Sequence, residues 1–307
     1  MILSVCLNPA LDITYRTDAL RPGESHAVEV LGARAGGKGV NVARVLHQQG
    51  EPVMVTGLLG GPRGVQLEAE LLDAGLPSSF SPISDETRRS VTVLDKADAT
   101  VFNERGPQVT EAEWLAFAEH FGVLVTGADA VAMSGSQPAA LAGRGYAQLI
   151  ETCNHAGVPS ILDTSGHSLA LALEARPTVV APNRTEVAQA IGHPVRGLAD
   201  LRAAGLELIG RGAGAAIISA GVNGLIAVTS SGAWTVEPPT RIEGNPTGAG
   251  DALTAALAAG IHARRDWPGI LATAVAWSAA AVACDHAGEI DAELAAEFER
   301  RVVVKEF

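Results

Sequence analysis

A glycine-rich turn near the carboxyl-terminal end of the chain combines backbone amides with one carboxylate. It covers residues 244–251, reads GNPTGAGD, and leads directly into the apolar segment ALTAALAAG. The first amides of a helix have no partner within the helix, and the helix dipole adds about half an elementary charge there. Phosphate is therefore the ligand that this turn favours, and Asp251 would lie where a phosphoryl group is transferred. Taken alone, a carboxylate in this position is more often a helix cap.

A second glycine-rich turn, at residues 35–43, carries one lysine and one asparagine. It reads AGGKGVNVA, which places Lys38 and Asn41 at the start of a helix. The spacing is neither the GxxxxGK[ST] of a P-loop nor the GxGxxG of a dinucleotide-binding fold, so a different anion or a polyol is indicated. An ordinary solvated lysine is the alternative for Lys38.

A third segment places two oxygen ligands three residues apart. It reads APNRTE and follows a predicted strand, so that Asn183 and Glu186 share one face of the helix that begins there. Oxygen ligands of this kind suit a Mg²⁺ ion that is held mainly by water and phosphates. A helix-capping arrangement is the alternative, and for this segment alone it is the better interpretation.

Helices and strands alternate regularly from Thr110 onward. The predicted elements are helix 110–121, strand 129–134, helix 138–156, strand 160–163, helix 167–175, strand 178–181, helices 184–191 and 198–211, and strand 215–219. Two short strands near 224–237 then precede a helix that begins at Gly248. This alternation predicts a mostly parallel sheet with right-handed crossovers. We therefore expect an α/β fold, a three-layer α/β/α sandwich formed by a single domain over residues 1–307.

Two segments outside this alternation, at about 11–35 and 85–103, look like half-exposed strands. A polar turn at 96–99 would join the strands of the second segment. We expect both segments to form a small β-sheet that covers one edge of the sandwich as a lid. The apolar stretch Ile270–Cys284 is shorter than the roughly 20 residues of a membrane-spanning helix and predicts a buried core helix.

Composition narrows the partners and the compartment. The formal net charge of −12 opposes general affinity for nucleic acid or for an anionic membrane surface. The three cysteines are widely spaced and indicate neither a disulfide framework nor a metal site. The amino-terminal segment MILSVCLNPALD lacks the basic region of a signal peptide. A cytoplasmic protein is the expectation.

Four segments together resemble the signatures of one enzyme family. NPTGAGD, AGGKGVNVARVL, PNRTE and SAGVNG (residues 219–224) resemble the motifs of the PfkB, or ribokinase-like, sugar kinases, in the same order and over nearly the whole chain. The resemblance implies a ribokinase-like fold with a β-sheet lid. It also implies a kinase that uses ATP and Mg²⁺.

The resemblance carries roles onto matching residues of this chain. Asp251 would be the catalytic base, with the amides of Gly248, Ala249 and Gly250 stabilising the transferred group. Mg²⁺ would be held near Asn183 and Glu186. The residues expected to contact ATP are Asn183, Ser219, Gly221, Gly224, Thr247, Gly248 and Gly250.

Three further segments resemble the branch of 1-phosphofructokinases and tagatose-6-phosphate kinases. They are LNPALD (residues 7–12), ETR (residues 86–88) and SGS (residues 134–136). The implied substrate is a ketohexose phosphate, bound by Asp12, Gly37, Lys38, Asn41, Arg88, Ser136 and Asp251. Lys38 and Arg88 would bind the phosphate that the sugar already carries, because paired donors suit phosphate oxygens. Fructose 1-phosphate is the first expectation, and tagatose 6-phosphate stays open.

Two positions depart from the family pattern. Ala181 stands where relatives usually have a lysine that would touch the ATP phosphates, and such a loss could cost on the order of 10²-fold in rate. Asn245 stands where many relatives have aspartate. A sugar-phosphate sensor without activity is therefore an alternative, whereas a dehydrogenase is disfavoured because GxGxxG is missing. The exposed lid also suggests a homodimer in which two lids cover each other.

Overall fold

The computed structural model describes residues 1–96 and 99–307. Its strands are β1 (Ile2–Cys6), β2 (Ala10–Arg16), β3 (Glu29–Gly36), β4 (Val53–Gly60), β5 (Ser78–Ile83), β6 (Arg88–Leu94), β7 (Ala99–Asn103), β8 (Ala130–Ser134), β9 (Ser160–Asp163), β10 (Val179–Val180), β11 (Ala215–Ser219), β12 (Leu225–Thr229), β13 (Gly232–Glu237) and β14 (Val303–Glu306). Its α-helices are α1 (Lys38–Gln48), α2 (Gly61–Asp73), α3 (Glu111–Val125), α4 (Gly145–Ala156), α5 (Gly166–Glu174), α6 (Arg184–Ile191), α7 (Leu198–Gly210), α8 (Ala249–His262), α9 (Trp267–Val282) and α10 (Ala292–Arg301).

A ten-stranded sheet forms the middle layer of the molecule, in the order β14-β13-β12-β11-β10-β9-β8-β1-β4-β5. The strands from β5 to β11 pair in parallel, whereas β12, β13 and β14 pair antiparallel at one edge. The predicted sandwich and fold class are thus confirmed, with a mixed sheet. Antiparallel pairing at this edge follows from the tight turn between β12 and β13, since a parallel partner needs a long crossover.

Apolar side chains from each strand supply a hydrophobic layer on both faces of the sheet. In β1, Leu3 and Val5 join the layer under α3, α4 and α5, while Ile2 and Cys6 join the layer under α1, α8 and α9. Alternate residues of a strand point to opposite faces, so one apolar strand serves both layers. The expected core helix is α9, and none of the helices in the described residues is long and apolar enough to span a membrane.

Small residues bring α8 close to its neighbours. Its buried positions are mostly alanine, and a Cβ on Gly260 would lie 2.6 Å from the Ile270 side chain of α9. Because α8 is covered by α9 and lies over the sheet, its amino-terminal end is fixed in place. That end carries the first glycine-rich turn.

A separate four-stranded sheet, in the order β3-β2-β6-β7, makes the lid. Strand β2 pairs antiparallel with β3 and parallel with β6. The outer part of the lid exposes apolar side chains, including Val30 at 63% and Phe102 at 52% exposure. The turn predicted at 96–99 falls partly outside the described residues.

The structure corrects one predicted helix and adds four elements. Residues 138–156 form a short 3-10 turn at Ala139–Leu141 and then α4, because Ala142 (φ 48°) and Gly143 (φ 82°) adopt left-handed conformations that interrupt a helix. The first two additional elements are α2 and β5, and β5 extends the parallel sheet beyond β4. The other two are α10 and β14, and β14 pairs antiparallel with β13.

Candidate active site

Loops at the carboxyl ends of the parallel strands surround a cleft of about 510 Å³. In open α/β sheets this edge is where ligands bind. Four residues predicted from the sequence line this cleft, namely Lys38, Arg88, Ser136 and Glu186. Asn8 and Arg105, which were not predicted, line it as well. The lid contributes Arg88, at the first position of β6, to the wall of the cleft.

Asp251 occupies the third position of α8 and is only 4% exposed. The cap position of this helix belongs to Gly248, which has no side chain, so the capping role considered for Asp251 is not realised. Instead, the Asp251 carboxylate accepts a hydrogen bond of 2.8 Å from Nδ2 of Asn41 on α1. The two glycine-rich turns identified in the sequence therefore meet at this pair of side chains.

The surroundings of Asp251 raise the pKa of its carboxyl group to about 7. Burial is the main cause, and the nearby charge of Asp163 adds to it. The ammonium of Lys38 and the hydrogen bond from Asn41 work in the opposite direction. A carboxyl group that titrates near neutral pH is suited to accept a proton from a hydroxyl group.

The turn before α8 depends on glycine and on Asn245. Gly248 has a φ of 92°, and a Cβ there would lie 2.8 Å from the Cα of Ala287. Asn245 Oδ1 accepts a hydrogen bond from the Thr247 amide at 3.0 Å, while its Nδ2 donates to the Asp285 carbonyl at 3.0 Å. A deprotonated aspartate could not make the second bond, which gives the asparagine at this position a structural reason.

Lys38 reaches from the start of α1 to the carboxyl end of β9. The carbons of its stem lie 3.3–3.9 Å from where a Cβ on Gly135 would be, and its Nζ donates to Oδ2 of Asp163 at 3.0 Å. Burial opposes the charge of Lys38, but Asp163, Asp251 and Glu186 together raise its pKa above the ordinary value. The ammonium thus stays protonated among three carboxylates.

Arg88 and Asp12 lie side by side on the inner strands of the lid. Arg88 Nε donates to the Asn8 carbonyl at 3.2 Å, and the Arg88 guanidinium also reaches the Glu104 carbonyl at 3.5 Å. Burial raises the pKa of Asp12 to about 6, although the charges of Arg88 and Arg34 work against this shift. Asp12 lies so close to Gly36 that a Cβ there would be 1.9 Å from Asp12 Oδ2.

Asn183 and Glu186 form a capping box at the start of α6. Asn183 Oδ1 accepts the amides of Thr185 and Glu186 at 2.9 and 3.0 Å, and Glu186 Oε2 accepts the Asn183 amide at 2.9 Å. The capping interpretation of this segment is therefore realised. Glu186 also lines both the first cleft and a second cleft of about 510 Å³, and so marks where they adjoin.

The second cleft gathers three of the seven residues expected near the nucleotide, Asn183, Ser219 and Gly221. Its lining includes Asn183, Arg184, Glu186, Ser219 and Gly221. Thr247 and Gly224 are not among its lining residues. Gly224 instead permits a close strand contact, since a Cβ there would lie 1.9 Å from the Val236 carbonyl.

A magnesium ion fits at the junction of the clefts only with help from phosphate. Within the described residues there is no group of three or more His, Cys, Asp or Glu side chains that could hold a metal ion. Glu186 lies near Asp163, since its charge contributes to raising the pKa of that carboxyl group, after burial as the main cause. Proteins usually bind Mg²⁺ through one or two carboxylates, and water and phosphates supply its remaining ligands. The arrangement fits that pattern.

Three residues of the site were not predicted. Asp163 is the last residue of β9. The sequence could have indicated it, because a predicted strand ends at residue 163 and ligands bind at the carboxyl ends of such strands. Asn8 donates from Nδ2 to Ser136 Oγ at 3.0 Å and so holds the serine predicted to bind the sugar. Arg105 follows β7 and lines the first cleft, but its neighbours along the chain give no motif that would identify it.

The chain is similar to known sugar kinases over nearly its whole length. A family model described as pfkB family carbohydrate kinase matches residues 2–293. Phosphofructokinase-2 from Escherichia coli in complex with potassium has a TM-score of 0.93 at 25% identity, covering 97% of this chain and 98% of that chain. A possible 1-phosphofructokinase from Thermotoga maritima has a TM-score of 0.89 at 24% identity, with 100% and 99% covered. Ribokinase from Arabidopsis thaliana, complexed with ribose and ATP, has a TM-score of 0.79 at 21% identity, with 97% and 98% covered.

The burial of Asp251 generates a prediction about stability. Folding raises the pKa of Asp251 from 3.8 to about 7. The folded protein therefore becomes less stable as the pH rises towards and through 7, because the buried carboxyl group must then lose its proton. Asp251→Asn removes this buried charge, so the free energy of unfolding of the variant should exceed that of the wild type. The difference between the two should grow by about 2 kcal/mol between about pH 5.5 and about pH 8. Urea unfolding at both pH values measures this.

Asp200 offers a matched control, since it occupies the same third position in α7 but is exposed. Asp200→Asn should give no pH-dependent gain of this kind. A margin for Asp251→Asn that is independent of pH would show that the carboxylate is not destabilised by burial.

Proposed function

Because the chain belongs to the PfkB family of carbohydrate kinases, we propose that this ATP-dependent sugar kinase phosphorylates a ketohexose that already carries one phosphate. Fructose 1-phosphate is the first proposed substrate, with tagatose 6-phosphate as the alternative. Family membership makes the chain an ATP-dependent kinase, so a sensor without activity is not retained.

The observation that carries the proposal is the arginine-lined part of the first cleft. Arg88 and Arg105 line it together with Asn8, whereas Lys38 lies near the buried Asp251. An anionic substituent on the sugar would meet the arginines while a hydroxyl group approaches Asp251. A sugar without phosphate gives Arg88 and Arg105 nothing to neutralise.

Asp251 is proposed as the general base. Its carboxylate takes the proton from a primary hydroxyl group of the sugar as that oxygen attacks the γ-phosphorus of ATP, and the bond from the γ-phosphorus to the bridging oxygen of ADP breaks. The hydrogen bond from Asn41 orients the carboxylate for this transfer. The amides of Gly248 and Gly250 would stabilise the oxygens of the transferred group. The Ala249 amide donates to the Pro246 carbonyl at 3.3 Å, which makes it the weakest of the three expected donors.

Lys38 is proposed to act at the reacting end of the sugar. Sequence analysis grouped it with Arg88 at the pre-existing phosphate, but its ammonium is held by Asp163 and faces the charges of Asp251 and Glu186. A cation in this position can neutralise the group in transfer. Lys38 would then supply the charge that Ala181, a buried core residue, lacks.

Nucleotide and metal are assigned to the second cleft. Glu186 would hold Mg²⁺ through water, while Asn183 fixes the start of α6 as its cap. When bound, Mg²⁺ supplies charge neutralisation of the ATP phosphates. Arg184 also lines this cleft, and its buried Nε has no hydrogen-bond partner within the described residues, which makes it a candidate contact for a phosphate.

The lid is proposed to pair with the lid of a second copy. Val30, Val101 and Phe102 leave an apolar surface on exposed edge strands, which a second lid would cover. Light scattering should then give twice the 31.4 kDa mass of one chain. A mass of one chain at micromolar concentration would exclude such a dimer.

ATP consumption with a panel of sugars tests the proposed substrate. Fructose 1-phosphate, tagatose 6-phosphate, fructose 6-phosphate and unphosphorylated fructose would be compared by kcat/KM. We expect the highest value with fructose 1-phosphate and the lowest with fructose. Equal values for fructose and its phosphates would remove the phosphate requirement from the proposal.

Arg88→Ala should lower kcat/KM for the phosphorylated sugar by about 10- to 150-fold, the worth of a charged hydrogen bond. Activity on unphosphorylated fructose should stay nearly unchanged. Arg89→Ala is the matched control, because Arg89 follows in the same strand but does not itself line the cleft, although its ion-pair partner Glu104 does. Equal losses on both sugars would make Arg88 a structural residue of the lid.

Lys38→Met keeps the apolar stem that packs at Gly135 and removes only the ammonium. We expect kcat to fall by about 10²-fold, with KM for the sugar phosphate changing much less. Steady-state kinetics with both substrates varied measures the two parameters. A raised KM for the sugar with kcat preserved would instead return Lys38 to the phosphate already on the sugar.

A further inference from the structure

One ion pair joins the lid to the loop that supports the phosphate-binding turn. Arg34 on β3 and Glu289 approach to 2.8 Å between NH1 and Oε1. Their side chains are 25% and 40% exposed, so the pair is partly shielded from water. Arg34 is two residues before the end of β3, and Gly37, with a φ of 100°, connects that strand to α1. The pair therefore lies beside the connection between the lid and α1.

Arg34 also belongs to the sugar side of the site. It pairs in register with Asp12 across β2 and β3. Its positive charge acts on the Asp12 carboxylate, which is proposed to meet the sugar hydroxyls. A sugar bound at Asp12 thus changes the surroundings of Arg34 directly.

Glu289 belongs to a loop, residues 283–291, that packs against both parts of the catalytic centre. On one side, the Cα of Ala287 lies 2.8 Å from where a Cβ on Gly248 would be. On the other, a Cβ on Gly288 would lie 3.1 Å from the Cα of Asn41, the residue that holds Asp251. A shift of this loop must therefore move the phosphate-binding turn or α1, since neither contact leaves free space.

We infer that Arg34 and Glu289 are positioning residues that couple sugar binding at the lid to nucleotide binding at the turn before α8. The inference rests on the proposed function, which places the sugar at Asp12 and the nucleotide phosphates at Gly248. The ion pair holds the lid strand β3 to the loop position that the turn before α8 requires. Coupling between two sites is reciprocal, so each substrate tightens the binding of the other.

Equilibrium titration tests the coupling without turnover. The non-hydrolysable β,γ-imido analogue of ATP, with Mg²⁺, would be titrated into the full chain with and without saturating fructose 1-phosphate. We expect the sugar phosphate to lower the Kd of the analogue in the wild type. In Glu289→Gln and in Arg34→Gln this effect should shrink by about 2- to 5-fold, the size expected for a partly exposed ion pair.

Further variants separate positioning from a general structural role. The double variant Arg34→Gln/Glu289→Gln should lose no more coupling than either single variant, and Arg34→Lys should retain most of it. Glu29→Gln is the matched control, because it breaks the 3.1 Å ion pair of Arg16 and Glu29. That pair joins β2 and β3 at the end of the lid opposite to Arg34. That variant should keep the full coupling.

Two results would overturn the inference. One is a wild-type Kd for the analogue that no sugar phosphate of the panel changes, and the other is full coupling in both single variants. Failure of the proposed substrate is separate, because it would appear as missing ATP consumption by the wild type with fructose 1-phosphate. If tagatose 6-phosphate is the active sugar, the same titrations with that sugar decide the question.

Discussion

The hydrogen bond between Asn41 and Asp251 is the contact on which the site depends. It joins the starts of α1 and α8, which are 210 residues apart in the chain. Both helices must approach β1 and each other closely for this bond to form, and a Cβ on Gly39 would lie 2.4 Å from the Val5 carbonyl. The glycines around the site therefore serve two purposes. They expose amides to a phosphate, and they allow helix starts to meet at hydrogen-bonding distance.

The same closeness gives the site an electrostatic cost. Asp251, Asp163 and Glu186 crowd around one lysine in a chain whose formal net charge is −12. Burial and mutual repulsion raise the pKa of Asp251, which makes it a better base and a less stable buried anion. A substrate that brings a proton to Asp251, or a cation that accompanies ATP, relieves this repulsion. The proposed role of Asp251 as base would thus be opposed to the stability of the fold, as is common in active sites.

The lid and the carboxyl edge of the main sheet each contribute different residues to the candidate site. The main sheet fixes Asp163, Ser136 and the start of α6, because strands buried on both faces hold their ends rigidly. The lid contributes Asp12 from β2 and Arg88 from β6, two strands that pair in parallel. A lid over a rigid base is an arrangement that can exclude water from a phosphoryl group in transfer. The Arg34–Glu289 pair is where these two parts touch near the nucleotide side.

Sequence alone determined the chemistry of the catalytic turn and the fold class. The glycine-rich turn at 244–251 predicted Asp251 as a carboxylate at a helix start suited to phosphate, and the alternation after Thr110 predicted the sandwich. These features can be predicted from sequence, because helix starts, strand periodicity and glycine turns depend mainly on neighbouring residues.

Only the tertiary structure decided which charges face one another. Asp163 became the partner of Lys38, and Glu289 the partner of Arg34, across 125 and 255 residues of chain. It also showed Asn183 and Glu186 as a capping box, and it divided the predicted helix 138–156 at Ala142. Such outcomes depend on which loops meet at the carboxyl edge of the sheet. That meeting is set by packing between distant segments, and no local spacing records it.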